Sequence, residues 1–163
     1  MKNAEPIHHL TTLIQLNFDR IACYDQAISL LNQLNVDLNA APFFSMITQE
    51  SARNIQEIVK AVIALGGYYT QHTSIAGKAC LLWMDFRSML AAKPVHAILS
   101  CCEAMDKMVT KGYDQVISSA AKISDNLRQC LLDHRIALES SETLRNTYEA
   151  LQNNYVLSQN YES

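Results

Sequence analysis

Residues that interrupt helices are scarce in this chain: 4 glycines and 3 prolines in 163 positions. That scarcity excludes a turn-rich sheet fold and leaves room for long uninterrupted helices. Charge of one sign is not concentrated anywhere. Lys and Arg number 13 against 16 Asp and Glu, a formal net of -3, so nothing is built to neutralise a run of phosphates and nucleic acid is not an expected partner. No apolar stretch is long enough to span a bilayer, since the most apolar one, 79–90, contains Asp85 and Arg87. The opening Met1 to His9 lacks the apolar run of a signal peptide, so a cytoplasmic location is expected and no membrane. The cysteines Cys23, Cys80, Cys101, Cys102 and Cys130 are odd in number and form no Cys-x-x-Cys pair. Small buried core thiols account for them best, because a reactive thiol needs exposure and a depressed pKa.

What is present is helical spacing. Pro6 suits a first helical turn, and Leu10, Ile14, Asn17, Ile21, Tyr24, Ile28 and Leu31 mark one face of a helix ending near Leu34. A second helix starts near Ala41 or Pro42, buries Phe44, Ile47, Ser51, Ile55, Ile58, Val62 and Leu65, and stops at Gly66-Gly67. Residues 68–73 are read as loop. Ser74 caps a shorter helix, Ile75 to Leu90, on which Trp83 is expected as core or as a seal over it. Lys93-Pro94 opens a third long helix with Val95, Leu99, Cys102, Asp106, Val109, Tyr113, Val116 and Ala120 inward. A fourth runs from about Ser124 past Tyr148 with Leu127, Cys130, Leu131, His134, Ala137, Leu138, Ser141, Leu144, Tyr148 and Leu151 inward, and the last dozen residues are expected to fray.

Tyr24-Asp25-Gln26-Ala27-Ile28-Ser29 recurs as Tyr113-Asp114-Gln115-Val116-Ile117-Ser118, 89 residues on. A match at a fixed offset points to a repeated unit, with the first and third long helices in equivalent places. Two antiparallel helix pairs joined by a long connection, here 66–92 with its small helix, form the ferritin-like variant of the four-helix bundle. The expectation is an all-α, up-down-down-up bundle with a short extra helix in the crossover between helices 2 and 3, as one domain over 1–163.

Polar residues on the inner stripes are the informative ones. Asn17 and Tyr24 match Asp106 and Tyr113 at the same offset. Asn17, Asn54, Asp106 and His134 are placed to form one polar layer, in which His134 is the expected partner of the Asp106 carboxylate and the tyrosine hydroxyls are further donors. A two-metal carboxylate bundle takes a Glu from each of two helices and Glu-x-x-His from each of the others. No Glu-x-x-His occurs here. Glu103, Asp106 and His134 supply at most one mononuclear site, or else a structural network without metal. No nucleophile is spaced to join the Asp and His for acid–base catalysis.

Three blocks carry a family resemblance: Leu10-Thr11-Thr12-Leu13-Ile14 with Tyr24; Ile63-Ala64-Leu65-Gly66-Gly67 followed by Ser74-Ile75-Ala76-Gly77 and Trp83-Met84-Asp85; and Ile98 to Glu103 leading to Tyr113. Together they resemble the bacterial ferritin-like family of domain of unknown function 2383, similar to small rubrerythrin-type bundles, over about Leu10 to Leu151. The resemblance implies acidic residues facing the bundle centre, and Glu57, Glu103 and Asp106 match. With His134 these are the expected metal ligands, Glu57, Glu103, Asp106 and His134, of a degenerate site. Ile21 and Arg53 stand where relatives carry Glu, and the relatives' histidine falls at Leu138, which weakens an oxidase, peroxidase or iron-storage reading. No cofactor is assigned.

The function implied is a non-enzymatic bundle of unknown cellular role, in a group that looks stress-associated or structural. It would act by self-association or by binding another protein, with a homodimer or other homo-oligomer as the expected form. Apolar Val59, Ile63 and Met89 outside the inner stripes support this. A metal-binding oxidoreductase or stress-response protein using iron or manganese is the alternative, and a bundle enclosing a small apolar ligand is a third.

Overall fold

The computed structural model describes residues 3–34, 38–69, 74–119 and 123–161. Six helices follow in order: α1 (Ala4–Gln33), α2 (Ala41–Ala64), α3 (Ile75–Leu90), α4 (Pro94–Ser118), α5 (Asp125–Ala137) and α6 (Glu139–Tyr161). There is no strand among the described residues. Helix α1 packs against α2 and α4, α6 closes against α2 and α4, and α3 lies across the outside of α1 and α4. The pairs Asn3–Leu65 and Arg20–Ser51 run α1 against α2, and Asn17–Tyr113 and Tyr24–Asp106 run α1 against α4. This is the ferritin-like up-down-down-up bundle, with α3 in the crossover.

The fourth long helix is interrupted once, at Leu138, which separates α5 from α6. Serines just beyond the break turn their hydroxyls back onto the chain: Ser140 donates to Ala137 O and Ser141 to Leu138 O. Such back-bonding competes with the backbone ladder and bends helices. At the end of α2, Gly66 has φ +83, the left-handed conformation that glycine adopts without a Cβ clash. The Gly66 and Gly67 amides then bond back to Ile63 and Val62 carbonyls.

Inside lie Leu10, Leu13, Phe44, Ile58, Ile98, Val109, Tyr24, Tyr113 and Tyr148. Phe43 and Phe44 pack on Tyr148 with ring centroids 5.2 Å apart in each pair, in the tilted arrangements aromatic rings favour. Cys23, Cys101 and Cys102 are buried, as small core thiols should be, whereas Cys80 and Cys130 are only half-buried.

Two expectations fail here. Trp83 and Phe86 are each 55% exposed rather than in the core, because α3 rests on the bundle only along the narrow stripe holding its two buried residues, Gly77 and Met84. The C-terminal segment is helical to Tyr161 rather than frayed, with Gln152 buried. His72, Ala120 and most of the 68–73 loop lie outside the described residues.

The start of α3 is fixed from α1. The buried Asp19 carboxylate accepts from the Ser74 amide at 2.8 Å and its hydroxyl at 2.6 Å, while the Ser74 hydroxyl accepts from the Gly77 amide at 2.9 Å. Ser74→Ala removes the cap and takes the hydroxyl donor from one Asp19 oxygen while the amide bond to the other remains, so a loss of about 1–2 kcal/mol is expected. Chemical denaturation measures it; an unchanged midpoint would refute the coupling.

Candidate functional site

The centre of the bundle holds a cation. Arg20, on α1, is fully buried. Its Nε donates to Asp106 Oδ1 on α4 at 2.8 Å. Nη1 donates to Glu50 Oε1 and Ser51 Oγ on α2 at 3.0 and 2.9 Å, and Nη2 to Ser141 Oγ on α6 at 2.9 Å. The other Asp106 oxygen accepts from the Tyr24 hydroxyl at 2.6 Å and from Arg145 Nη1, which also donates to the Tyr24 oxygen. Burial alone would weaken the Arg20 charge, but Asp106 and Glu50 more than offset it and raise its pKa. Arg145 is raised despite its burial, through Tyr24 and Asp106. Burial and the neighbouring Asp106 push the Tyr24 hydroxyl far up, so it stays a donor.

A second polar chain lies about two turns along the bundle. Asn17 Nδ2 donates to the Tyr113 hydroxyl at 3.0 Å, and that oxygen is 3.4 Å from His134 Nδ1 on α5. The other ring nitrogen, Nε2, is 2.7 Å from Glu57 Oε2 on α2. Cys130, one turn before His134, has its thiol 3.2 Å from the same carboxylate oxygen and 3.5 Å from Nε2. Hydrogen bonds from His134 first and Cys130 second hold the Glu57 carboxyl below its usual range. Burial, with Glu57 adding to it, pushes the Cys130 thiol up to about 11.

The two chains are reciprocal. Tyr24 of α1 reaches Asp106 of α4, and Tyr113 of α4 reaches Asn17 of α1; these are the pairs the 89-residue offset equates. Expected as one layer, the polar residues form two. Asp106 pairs with Arg20 and Arg145 instead of His134, which lies in the other chain, between Tyr113 and Glu57. Of the four expected ligands, Glu57 and His134 come together. Glu103 lies at the surface on Lys107, which holds its carboxyl below the usual range. Arg20, Arg145 and Cys130 are the residues that sequence reasoning left out.

The ferritin-like fold brings a two-metal centre to mind, and the donor set does not fit one. Among the described residues, Asp106 is the buried carboxylate at the centre, with Glu50 at its edge, and two guanidiniums already occupy their oxygens. Extra positive charge there would meet repulsion, not ligands.

Removing the acid tests what it does. Asp106→Asn takes away the carboxylate that two buried guanidiniums share, leaving Arg20 with Glu50 alone, and a loss of about 3–5 kcal/mol is expected. A urea midpoint within error of the wild type would contradict this.

Comparison with known proteins bears on the same elements. No curated protein and no solved structure matches the chain. Residues 5–119 match the family described as Domain of unknown function (DUF2383). That span takes in α1 to α4, with Arg20, Glu57 and Asp106, and ends before the fourth long helix with His134 and Arg145. With well over half its length matched, this ferritin-like bundle belongs to the family of domain of unknown function 2383.

Proposed function

We propose that the protein is a non-enzymatic ferritin-like bundle, one domain from end to end, that works by associating with a second copy of itself. The observation that carries this reading is the outer face of α3. Leu82, Trp83, Phe86, Met89 and Leu90 are each more than half exposed, and the Trp83 and Phe86 rings stack with centroids 5.7 Å apart. At one, four, seven and eight positions after Leu82, these side chains adjoin one another on the helix. A contiguous apolar face of this kind marks an interaction site, and large aromatic rings are the residues that anchor interfaces.

A second copy suits the face better than a charged partner. The surface is apolar, the net charge of -3 gives little repulsion between copies, and a two-fold axis lets one patch meet itself. The central network supports the non-enzymatic half: its acid is saturated by two guanidiniums and a hydroxyl, leaving no free base. All five cysteines are free thiols, which suits a reducing compartment such as the cytoplasm.

Sedimentation equilibrium tests the reading. The wild type should dimerise, and Trp83→Lys or Phe86→Lys should weaken the dimer about tenfold or more. Ile63→Asp on the exposed side of α2, where Ile63 is 61% exposed, should leave it unchanged. A wild-type monomer at the highest soluble concentration, or a dimer broken by Ile63→Asp alone, refutes the α3 interface.

A further inference from the structure

The second polar chain ends in three groups of different chemistry whose ligand atoms all lie within 4.8 Å of one another: Glu57, Cys130 and His134. We propose that they form a mononuclear site for a divalent metal of the zinc class. Oxygen, sulfur and imidazole nitrogen together suit a borderline cation such as Zn²⁺ or Co²⁺ better than a hard one. The dimensions agree. Tetrahedral bonds of about 2.3 Å to sulfur and about 2.0 Å to nitrogen set the two donors roughly 3.5 Å apart. Cys130 Sγ and His134 Nε2 are 3.5 Å apart, and Cys130 Sγ and Glu57 Oε2 are 3.2 Å apart. The 2.7 Å edge between His134 and Glu57 must open, and the Cys130–Glu57 edge by less; both follow from a shift of the Glu57 side chain, which is 53% exposed.

The surroundings are built to the same end. Metal on Nε2 requires the proton on Nδ1, and the Tyr113 oxygen beside Nδ1 is there to accept it. Asn17 holds that oxygen in turn, the kind of outer hydrogen bond that fixes a ligating ring. The three ligands line an open cleft of about 380 Å³ shared with Glu50, Arg53, Asn54 and Asp133. Asn54 is 6% exposed, and its side-chain amide lies against the Tyr113 hydroxyl, partly offsetting the upward push of burial on that group. Three protein ligands leave the metal's fourth position to water or a small anion, so the site is open rather than closed.

This site differs from a two-iron centre in place and in donors. It lies between α2 and α5, in a cleft that Glu50 borders from the Arg20 network, keeps Glu57 and His134 of the expected ligands, and replaces Glu103 and Asp106 with Cys130. Its failure would leave the α3 association reading untouched.

Titration of the full-length, chelator-treated protein with Co²⁺ is the test. One equivalent should bind, with the intense near-ultraviolet band of a cobalt–thiolate bond and visible bands of tetrahedral strength. Cys130→Ser should abolish the near-ultraviolet band, and Glu57→Gln, at an exposed and structurally tolerant position, should weaken binding about tenfold or more. Glu103→Gln should change nothing. Zn²⁺ should displace Co²⁺ and raise the melting temperature by several degrees in the wild type but not in Cys130→Ser. Binding of less than a tenth of an equivalent, or binding indifferent to both Cys130→Ser and Glu57→Gln, overturns the site.

Discussion

One guanidinium is shared by all four walls of the bundle. Arg20 comes from α1 and reaches α4 through Asp106, α2 through Glu50 and Ser51, and α6 through Ser141. A buried ion is expensive to desolvate, and its cost is offset only when every partner is in place. Any helix that moves away strands part of the charge in an apolar interior. The network therefore contributes less to net stability than to agreement among the helices, a penalty on every arrangement but one. Arg145 and Tyr24 complete it by satisfying the second Asp106 oxygen.

Much of the fold could be read directly. The shortage of glycine and proline, the cap at Ser74 and the glycine pair gave the boundaries of α2 and α3, and the 89-residue match gave the equivalence of α1 and α4. The inner stripes were legible only in part, for a reason that recurs in two helices. On α1 the buried series is Leu10, Leu13, Asn17, Arg20, Tyr24, Ala27 and Leu31; Ile21 and Ile28, apolar and one position on, drew the reading and are only half-buried. On the fourth long helix Arg145 and Gln152 are buried while Leu144 is half-buried and Leu151 exposed. A face is fixed by a spacing of three and four, and an arginine at a core position looks like an error until its carboxylate is known. The partner of Arg20 lies 86 residues away, so no local pattern could announce it. Cys130 was seen on its helix, but only packing places its thiol beside Glu57.

The internal correspondence has a physical content beyond the repeated words. Each tyrosine crosses to the polar residue seven positions before the other, so α1 and α4 exchange the same gesture in opposite directions. The likeness then breaks: the position equivalent to Arg20 is Val109, which is fully buried among apolar neighbours. One layer is closed around its charges, and the other leads outward through Tyr113 and His134 to Glu57 at the surface. Gly112 lets the two helices meet closely, since a Cβ there would lie 2.4 Å from the end of Leu16.

The interruption at Leu138 divides the fourth long helix into segments with different moorings. Segment α6 is anchored by Ser141, Arg145 and the Tyr148 hydroxyl bonded to Leu38 O. Segment α5 buries only Leu131 and His134, and its tie to α2 is polar. With the helix interrupted between them, α5 is the segment expected to open locally while α6 stays folded, its amides exchanging with solvent ahead of those of α6.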